Sequence, residues 1–274
     1  MDKAKSTQSE KKQMNSTRTL IKKIIYKTLG EGGYKKAYAK GKIKDIKNGV
    51  LDEKEALFLP HFIKPTSTVL DIGANYGHYA IDMARICTSG MVYAFEPVPF
   101  TFGVLEKIVT YFKSKNIVLF HAAVSNSAGE IDMTIPLLDF GAPNTGVAFI
   151  GKQKEKQSKN VTVKTLKIDD LTIKGEVDFI KIDIEGHEPQ AFKGMENLLK
   201  KHRPVILIEF SHACLKRANS NPDTFATYLQ NEMAYKFAKI NGEKLVLETN
   251  PFPADGYYFL FPTEKINAFQ NLFT

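Results

Sequence analysis

The segment "TSTVLDIGANYGHYAIDMARIC", which begins at Thr66, constrains the fold of this chain more than any other. A short apolar run predicts a strand that ends at Asp71, Gly73 and Gly77 predict a tight turn, and the apolar spacing after them predicts a helix. A second strand-like run, "GMVYAFEP", follows, so the segment opens a β-α-β unit. Such units favour a mostly parallel sheet that is covered by helices on both faces.

Strand-like and helical runs continue to alternate along the chain. Further strands are predicted by "NIVLFHAAV", "VDFIKID", "RPVILIEF", "AYKFAKI", "KLVLE" and "GYYFLFP". Asn241-Gly242 predicts a hairpin, and hence one antiparallel strand near the C-terminal end. The runs "GEIDMTIPLL" and "KNVTVKTLKIDDL" look extended, with a polar stretch between them. We therefore predict an α/β fold with a doubly wound sheet, and a loop region inserted at about residues 136–160.

The positive charge of the chain is concentrated at its N-terminus. The chain has 38 Lys and Arg against 30 Asp and Glu, but residues 1–50 hold 14 and 4 of these, which leaves 24 and 26 for residues 51–274. Residues 1–50 are therefore treated as a basic, partly helical segment that precedes one main domain. Such a segment can be a solvated leader, or it can contact RNA or an anionic membrane surface.

Within this segment, "TLIKKIIYKTL" (residues 19–29) has the pattern of a basic amphipathic helix, which can lie on a membrane surface or dock on the domain. No apolar run reaches the roughly 18–20 residues that cross a bilayer, and the first residues lack the apolar core of a signal peptide. We expect a cytoplasmic protein. Cys87 and Cys214 do not have the spacing of a zinc site. Carboxylates and a histidine later in the chain could hold a divalent cation, but they have no fixed ligand spacing, so no metal is predicted and a metal-assisted reaction stays an alternative.

Two carboxylates mark a candidate ligand site at the strand ends. Asp71 heads a glycine loop of the form Asp-x-Gly-x-x-x-Gly, which differs from the usual dinucleotide pattern. Its glycines, Gly73 and Gly77, allow a sharp turn and a close approach to a ligand. Glu96 ends the next strand, where a carboxylate can hold a ribose diol. The order of these features predicts a site for a nucleoside with a cationic end.

A second group of ionisable residues follows the strand "VDFIKID". Lys181, Asp183 and Glu185 alternate and so share one side, and His187 and Glu188 come directly after them. Ligands bind beyond the carboxyl ends of such strands, so these side chains are expected to face the cleft. The alternative for His187 and Glu188 is that they pair locally or cap the helix that begins near Pro189. Glu209 and His212 form a similar group after the next strand.

Five segments together resemble the FkbM family of S-adenosylmethionine-dependent methyltransferases, within the class I Rossmann-like enzymes. They are "VLDIGANYGHYA", "YAFEPVP", "HAAVSNSAGEI", "TLKIDDL" and "FIKIDIEGHEPQAFKGM". The resemblance runs from about Glu53 to Phe261 and leaves residues 1–50 outside. It implies a seven-stranded sheet in a methyltransferase domain at 51–274, with S-adenosylmethionine bound at the strand ends.

The resemblance also implies roles for single residues. Asp71, Gly73, Asn75 and Gly77 would line the methionine end of the cofactor, Glu96 would hold the ribose, and the segment His121–Val124, with Ala122 as the candidate, would lie near the adenine. Asn144, in "APNTG", either orients the substrate or forms a turn with Gly146.

The activity implied by the family is methyl transfer to a hydroxyl of a small molecule or glycan. Such a transfer needs the two reacting atoms brought together and the hydroxyl proton removed. We predict Asp183 as the base or acceptor-orienting group, and Glu185 and His187 as neighbours that tune its pKa or hold the substrate. Glu209 joins the group, and His212 is the rival base.

Two other functions stay open. One is an RNA or protein methyltransferase that docks through its basic N-terminus, which the absence of an Asn/Asp-Pro-Pro-aromatic run makes a weaker interpretation. The other is a non-catalytic nucleoside-binding module. The acceptor and the oligomeric state are not determined by the sequence.

Overall fold

The computed structural model describes residues 2–50, 53–151 and 157–274, with the side chains of the first range described from Thr19 onward. Its strands are β1 (Thr68–Ile72), β2 (Met91–Phe95), β3 (Ile117–Phe120), β4 (Ala123–Val124), β5 (Gly129–Pro136), β6 (Phe149–Ile150), β7 (Ser158–Leu166), β8 (Val177–Ile182), β9 (Val205–Phe210), β10 (Tyr235–Asn241), β11 (Lys244–Leu247) and β12 (Gly256–Pro262).

Its α-helices are α1 (Asp2–Lys47), α2 (Leu59–Phe62), α3 (His78–Ile86), α4 (Pro99–Phe112), α5 (Glu188–Gly194), α6 (Glu196–His202), α7 (His212–Arg217) and α8 (Pro222–Thr227). The 3₁₀ turns are Lys54–Phe58, Thr145–Val147, Ile168–Asp170 and Thr263–Leu272, and Tyr228–Glu232 is a π-helical turn.

The main sheet has eight strands in the order β11-β10-β12-β9-β8-β1-β2-β3. The five strands from β9 to β3 are parallel, whereas β12 pairs antiparallel with both β9 and β10. The predicted α/β class and mostly parallel sheet are confirmed. The sheet has eight strands rather than seven, however, and two of them, β11 and β12, run against the parallel strands. The reason is the tight β10–β11 hairpin at Gly242 (φ 65°), which adds β11 as an edge strand.

A second, smaller sheet has four strands in the order β4-β7-β5-β6. Both extended runs predicted in the middle of the chain belong to this sheet, where β5 and β7 pair over their whole lengths. The predicted inserted loop at 136–160 contains β6 and a 3₁₀ turn, and β7 begins within it. Residues 152–156 of that region lie outside the described residues.

Apolar residues fill both faces of the main sheet. Ile180 and Ile182 of β8 pack on one face, and Phe179 packs on the other. This alternation follows from strand geometry, because successive side chains point to opposite faces. The polar residues of the same strands are therefore left to the strand ends, where the parallel strands meet at one edge.

The N-terminal helix α1 is interrupted at Gly30, whose φ of 62° and ψ of −171° are not helical. After the break, Tyr34, Ala39 and Ile46 are buried in a cluster with Phe100 and other residues of α4, so this half of α1 docks on the domain. Before the break, the predicted amphipathic stretch at 19–29 is largely exposed. Met1 and the side chains before Thr19 lie outside the description. Within the described residues, no helix is long and apolar enough to cross a membrane.

Candidate active site

A cleft opens at the carboxyl ends of the central parallel strands. Most of its walls come from the ends of β1, β2, β8 and β9 and the loops that follow them, and the second sheet and its 3₁₀ turn close one side. Ionisable and hydroxyl-bearing groups in its lining are Glu96, Thr145, Asp183, Glu185, His187, Glu209 and Tyr257. Glu96 of the first predicted site and Asp183, Glu185 and Glu209 of the second therefore face one cavity.

The glycine loop is held against the end of β8. Gly73 adopts φ 79°, and a Cβ at this position would lie far inside van der Waals contact with the carbonyl oxygen of Asp183. The backbone N–H of Asp183 donates to the carbonyl oxygen of Ile72 over 3.1 Å. Only glycine combines this conformation with this approach. Gly73 therefore fixes the position of Asp183 relative to the loop.

Glu96 is buried at the end of β2 and is anchored by two backbone donors. Its Oε2 accepts a hydrogen bond from the Asn75 N–H over 3.0 Å, and its Oε1 accepts one from the Val98 N–H over 2.8 Å. Burial raises the pKa of Glu96 to about 7, although these N–H groups lower it. Each carboxylate oxygen keeps a second acceptor position, so the group can still bind a diol.

Asp71 lies beneath the glycine loop and does not line the cleft. It is completely buried, and neither carboxyl oxygen has a hydrogen-bond partner among the described residues. Burial raises its pKa to about 6, although the neighbouring Lys181 lowers it. We infer that Asp71 acts on the site through Lys181, which pairs with it across β1 and β8.

Lys181 is a buried ammonium that links the loop to the acidic cluster. Its Nζ donates to the carbonyl oxygen of Gly73 over 3.0 Å and lies 3.5 Å from Oδ2 of Asp183. Burial lowers the pKa of Lys181, but the carboxylates of Asp183, Asp71 and Glu53 raise it further, with a net upward shift. Lys181 therefore stays charged and compensates the buried Asp71 and the part-exposed Asp183 beside it.

Of the other residues predicted to bind the cofactor, two line the cleft and one packs inside the domain. Asn75 (φ 50°) and Ala122 line the cleft, and the Asn75 Oδ1 is buried without a hydrogen-bond partner in the described part of the chain. Gly77 (φ 83°) precedes α3, where a Cβ would collide with the side chain of Leu105. The positive φ and the contact with Leu105 explain why this position is a glycine. Gly77 is not part of the cleft lining.

Asp183 is the centre of the acidic cluster. Its Oδ2 accepts a hydrogen bond from the hydroxyl of Tyr257 over 3.2 Å, in addition to its contact with Lys181. Glu209, at the end of β9, interacts with Asp183 as well. Burial, and then the charge of Asp183 and a hydrogen bond to it, raise the pKa of Glu209 to about 8. Glu209 therefore holds its proton to a higher pH than an exposed glutamate does.

Glu185 is engaged by a cation, which limits its role as a base. Its Oε2 lies 3.0 Å from a guanidinium nitrogen of Arg217, and it accepts a hydrogen bond from Sγ of Cys214 over 3.2 Å. Its backbone is in the left-handed region, with φ 58°. The adjacent Gly186 (φ 103°) packs so closely on the carbonyl oxygen of Cys214 that a Cβ would not fit.

His187 and Glu188 hold the loop after β8. Nε2 of His187 lies 2.9 Å from Oγ of Ser125, and burial lowers the pKa of His187 to about 4, so the imidazole is neutral. Oε1 of Glu188 accepts hydrogen bonds from the N–H groups of Ile184 and Gly186, over 3.1 and 3.3 Å. Burial raises the pKa of Glu188 to about 7. His187 still lines the cleft, whereas Glu188 stabilises the turn before its own helix.

Two further predicted residues, in addition to Asp71 and Gly77, lie outside the cleft lining. His212 is half-buried at the start of α7, and its Nδ1 lies 2.6 Å from Oδ1 of Asp255. Asn144 donates its backbone N–H to the carbonyl oxygen of Pro136 over 2.8 Å and precedes a 3₁₀ turn. Its neighbour Thr145 lines the cleft instead. The structure thus places Asn144 in a turn.

Tyr257 and Thr145 are cleft residues that sequence reasoning missed. Tyr257 stands opposite Glu209 in the β12–β9 register, so an antiparallel strand that starts at this edge delivers its first residues to the site. That signal was present in "GYYFLFP". Thr145 is held by the hydroxyl of Tyr76 over 2.6 Å, and no sequence pattern indicates this contact. Within the described ranges, no group of three or more His, Cys, Asp or Glu residues has a metal-binding arrangement.

Comparison with known proteins identifies relatives of the chain. It is 33% identical over 141 residues to the hexuronic acid methyltransferase AglP of Haloferax volcanii, a match that covers 50% of this chain and 53% of that protein. The chain thus spans about half the length of this curated relative.

Two solved structures show low sequence similarity to this chain. The FkbM methyltransferase of Methylobacillus flagellatus is 16% identical, with a TM-score of 0.46 over 73% of this chain and 44% of that one. The SAM-dependent O-methyltransferase of Thermotoga maritima is 14% identical, with a TM-score of 0.39 over 80% of this chain and 69% of that one. Family membership therefore rests on the sequence.

The family model of the methyltransferase FkbM domain matches residues 71–237. The matched range begins at Asp71, contains Glu96, Asp183 and Glu209, and covers more than half of the 274 residues. The chain belongs to the FkbM methyltransferase family.

Proposed function

We propose that this protein transfers a methyl group from S-adenosylmethionine to a hydroxyl of a sugar-containing acceptor. The observation that carries the proposal is the position of the Asp183–Glu209 carboxyl pair in the same cleft as Glu96. One end of the cleft can hold a ribose, and the other presents a group that can take a proton from a hydroxyl. The relative named as a hexuronic acid methyltransferase supports a sugar as the acceptor.

The residues present fit the methyl donor. The anchored Glu96 carboxylate offers two acceptor oxygens to a ribose diol, and the backbone of Gly73 forms part of the cleft wall beside it. The buried Oδ1 of Asn75 has no partner among the described residues and can accept from the ligand. When bound, the cofactor supplies an electrophilic methyl on a sulfonium, and the neighbouring carboxylates favour that positive charge.

The acidic cluster supplies proton removal. A carboxylate of the Asp183–Glu209 pair accepts the hydroxyl proton as the new carbon–oxygen bond forms. Lys181 and Tyr257 hold Asp183 on one side, so its other oxygen is directed to the acceptor. Because the pKa of Glu209 is raised to about 8, its basicity is close to the range in which a general base is most effective.

The lining of the acceptor end suits a polyhydroxylated molecule. Carboxylates and hydroxyls hydrogen-bond sugar hydroxyl groups, and Asp183, Glu209 and Tyr257 supply three such groups on neighbouring strands. Apolar residues of the second sheet, Met133, Ala148 and Ile150, form the opposite wall. Such a site orients an acceptor through a few polar contacts against an apolar surface.

The cofactor assignment is tested by isothermal titration of S-adenosylmethionine into wild-type protein, Glu96→Ala and Glu106→Ala. Glu106 is an exposed glutamate on α4 and serves as the matched control. We expect at least about tenfold weaker binding for Glu96→Ala, because two charge-assisted hydrogen bonds are lost, and unchanged binding for the control. Equal affinity in all three proteins would reject the ribose site.

The acceptor class is tested by release of S-adenosylhomocysteine with a panel of neutral sugars, uronic acids, lipid-linked sugars, RNA and protein. The proposal expects turnover with a sugar-containing acceptor that Asp183→Asn abolishes without loss of cofactor binding. Turnover with RNA or protein alone would contradict it.

A further inference from the structure

We propose that residues 19–29 of α1 form a docking surface for an anionic lipid bilayer. This surface, the N-terminal apolar strip, consists of Leu20, Ile21, Ile24 and Leu29 with the lysines between them. The proposal does not depend on the chemistry of the cleft, and it concerns a part of the chain outside the range matched by the family.

The apolar residues of the strip face solvent. Leu20, Ile21, Ile24 and Leu29 are 57%, 51%, 52% and 63% exposed, and they belong to one eleven-residue stretch. Single exposed aliphatic residues are common on soluble proteins, but a contiguous group on one helix marks a contact surface. In helical projection Leu20, Ile24 and Ile21 lie within one arc, so they can be buried together. Leu29 lies outside this arc, so the first three residues form the inserting face of the strip.

The opposite side of the same helix is already occupied. Tyr26 packs against Tyr34 and Phe140, with ring centroids 5.4 and 5.9 Å away, and its hydroxyl donates to the carbonyl oxygen of Gly141 over 3.0 Å. Nζ of Lys22 lies 5.5 Å from the ring centre of Tyr38. The helix is therefore fixed to the domain through one side, which leaves the apolar arc directed outward.

The charge of the segment selects the partner. Residues 19–29 contain Lys22, Lys23 and Lys27 and no acidic residue. In helical projection Lys23 and Lys27 flank the apolar arc, where they can reach lipid headgroups while the aliphatic side chains enter the acyl boundary. An anionic bilayer surface matches both features, because it attracts lysines and accepts apolar side chains.

The attachment places the docking surface beside the active site. Gly141, which Tyr26 contacts, lies in the segment that leads to Thr145 in the cleft lining. Tyr76 of the glycine loop contacts the same Thr145 and also packs on Tyr38 of α1, with ring centroids 4.9 Å apart. A membrane bound through the strip would therefore hold the enzyme by an element that touches the rim of the cleft.

The test is flotation of the full-length chain with vesicles of phosphatidylcholine alone or of phosphatidylcholine with phosphatidylglycerol. We expect binding to the anionic vesicles that weakens as salt is raised. The double variant Leu20→Glu/Ile24→Glu should bind the anionic vesicles about tenfold or more weakly. The reason is that two aliphatic side chains that enter the bilayer are replaced by carboxylates that the anionic surface repels. Leu57→Glu is the matched control, since Leu57 is 76% exposed at a distant site.

The charge contribution is tested separately. Lys23→Glu/Lys27→Glu should weaken binding to the anionic vesicles, whereas Lys64→Glu/Lys115→Glu, which changes two exposed lysines elsewhere, should not. Circular dichroism and cofactor affinity of each variant confirm that it is folded. Binding of the wild type equal to that of the Leu20→Glu/Ile24→Glu variant, or no binding to anionic vesicles, would overturn the proposal.

A tryptophan probe reports insertion directly. The chain contains no Trp, so Ile21→Trp introduces a single fluorophore in the strip. Its emission should shift to shorter wavelength on addition of anionic vesicles. If light scattering instead shows a dimer that Leu20→Glu/Ile24→Glu dissociates, and vesicles cause no shift, then a second copy of the chain covers the strip and the membrane proposal is wrong.

Discussion

The hydroxyl of Tyr257 donates a hydrogen bond of 3.2 Å to Oδ2 of Asp183, which joins the antiparallel strand β12 to the end of the parallel strand β8. The contact leaves one oxygen of Asp183 for the cleft, and it brings a residue from the last strand of the chain into the acidic cluster. The geometry of the acidic cluster, which we propose is catalytic, therefore depends on the antiparallel part of the sheet as well as on the parallel part.

Removal of the Asp183 carboxylate should separate binding from chemistry. Asp183→Asn is expected to bind S-adenosylmethionine normally and to lose about 10²- to 10⁴-fold in kcat, the usual contribution of a general base. Tyr257→Phe should lose less, about tenfold, because it only frees the orientation of Asp183. Tyr258→Phe is the control, since its hydroxyl bonds to the carbonyl oxygen of Ala254. Comparable kcat values for Tyr257→Phe and Tyr258→Phe would remove Tyr257 from the mechanism.

The pH dependence of the reaction should come from the carboxyl pair. Burial, and then the charge of Asp183, raise the pKa of Glu209 to about 8, so Glu209 loses its proton near this pH and can then act as a base. We expect kcat/KM to rise with pH to a plateau, with a midpoint at or below about 8, because the bound sulfonium favours the ionised pair. Glu209→Gln should abolish this rise of kcat/KM with pH. A midpoint that is unchanged in Glu209→Gln would assign the rise to another group.

The close approach of the glycine loop predicts a position-specific effect of alanine. Gly73→Ala should lower the free energy of unfolding by about 1–3 kcal/mol or more. The reason is that φ 79° is strained for alanine and that the new Cβ meets the backbone of Asp183. Gly146→Ala is the control, since Gly146 also lines the cleft but has open space around a Cβ. Thermal unfolding of both variants measures the difference, and equal melting temperatures would contradict the packing described.

The buried Lys181 should be needed for stability. Lys181→Met leaves Asp71 and Asp183 without their cation and is expected to cost about 3–5 kcal/mol near pH 8. The pKa of Asp71, already raised to about 6 by burial, should rise further in the variant, so its folded form holds a proton that its unfolded form releases above about pH 4. The stability of Lys181→Met should therefore fall as pH rises, and the loss should be smaller near pH 5.

Guanidinium unfolding at both pH values, with the exposed Lys174→Met as control, measures this effect. A loss that is no larger at pH 8 than at pH 5 would show that Asp71 does not depend on Lys181.

Local patterns were sufficient for the parallel core and the ends of its strands. The strand, glycine turn and helix around Asp71 follow from apolar spacing and from the conformational needs of Gly73 and Gly77. Glu96 and Asp183 were located because strand ends meet at one edge of a parallel sheet. The family resemblance then implied the ribose site for Glu96, and the chemistry of methyl transfer made Asp183 the predicted base.

Tertiary contacts determined what the sequence could not show. The partners of Glu185 and His187, namely Arg217 and Ser125, are 32 and 62 residues away along the chain, and no periodicity links them. The second sheet was missed as a unit because pairing of β5 with β7 depends on register between distant segments. The exposure of Leu20 and Ile24 could not be predicted from the sequence either, because an amphipathic pattern does not show which side of a helix packs on the domain.

The crystal structure of this protein with S-adenosylhomocysteine tests the central claim most directly. We predict that both ribose hydroxyls lie within hydrogen-bond distance, about 2.5–3.0 Å, of the Glu96 carboxylate, and that the sulfur faces Asp183. A ribose bound away from Glu96, or a sulfur that faces away from the Asp183–Glu209 pair, would contradict it.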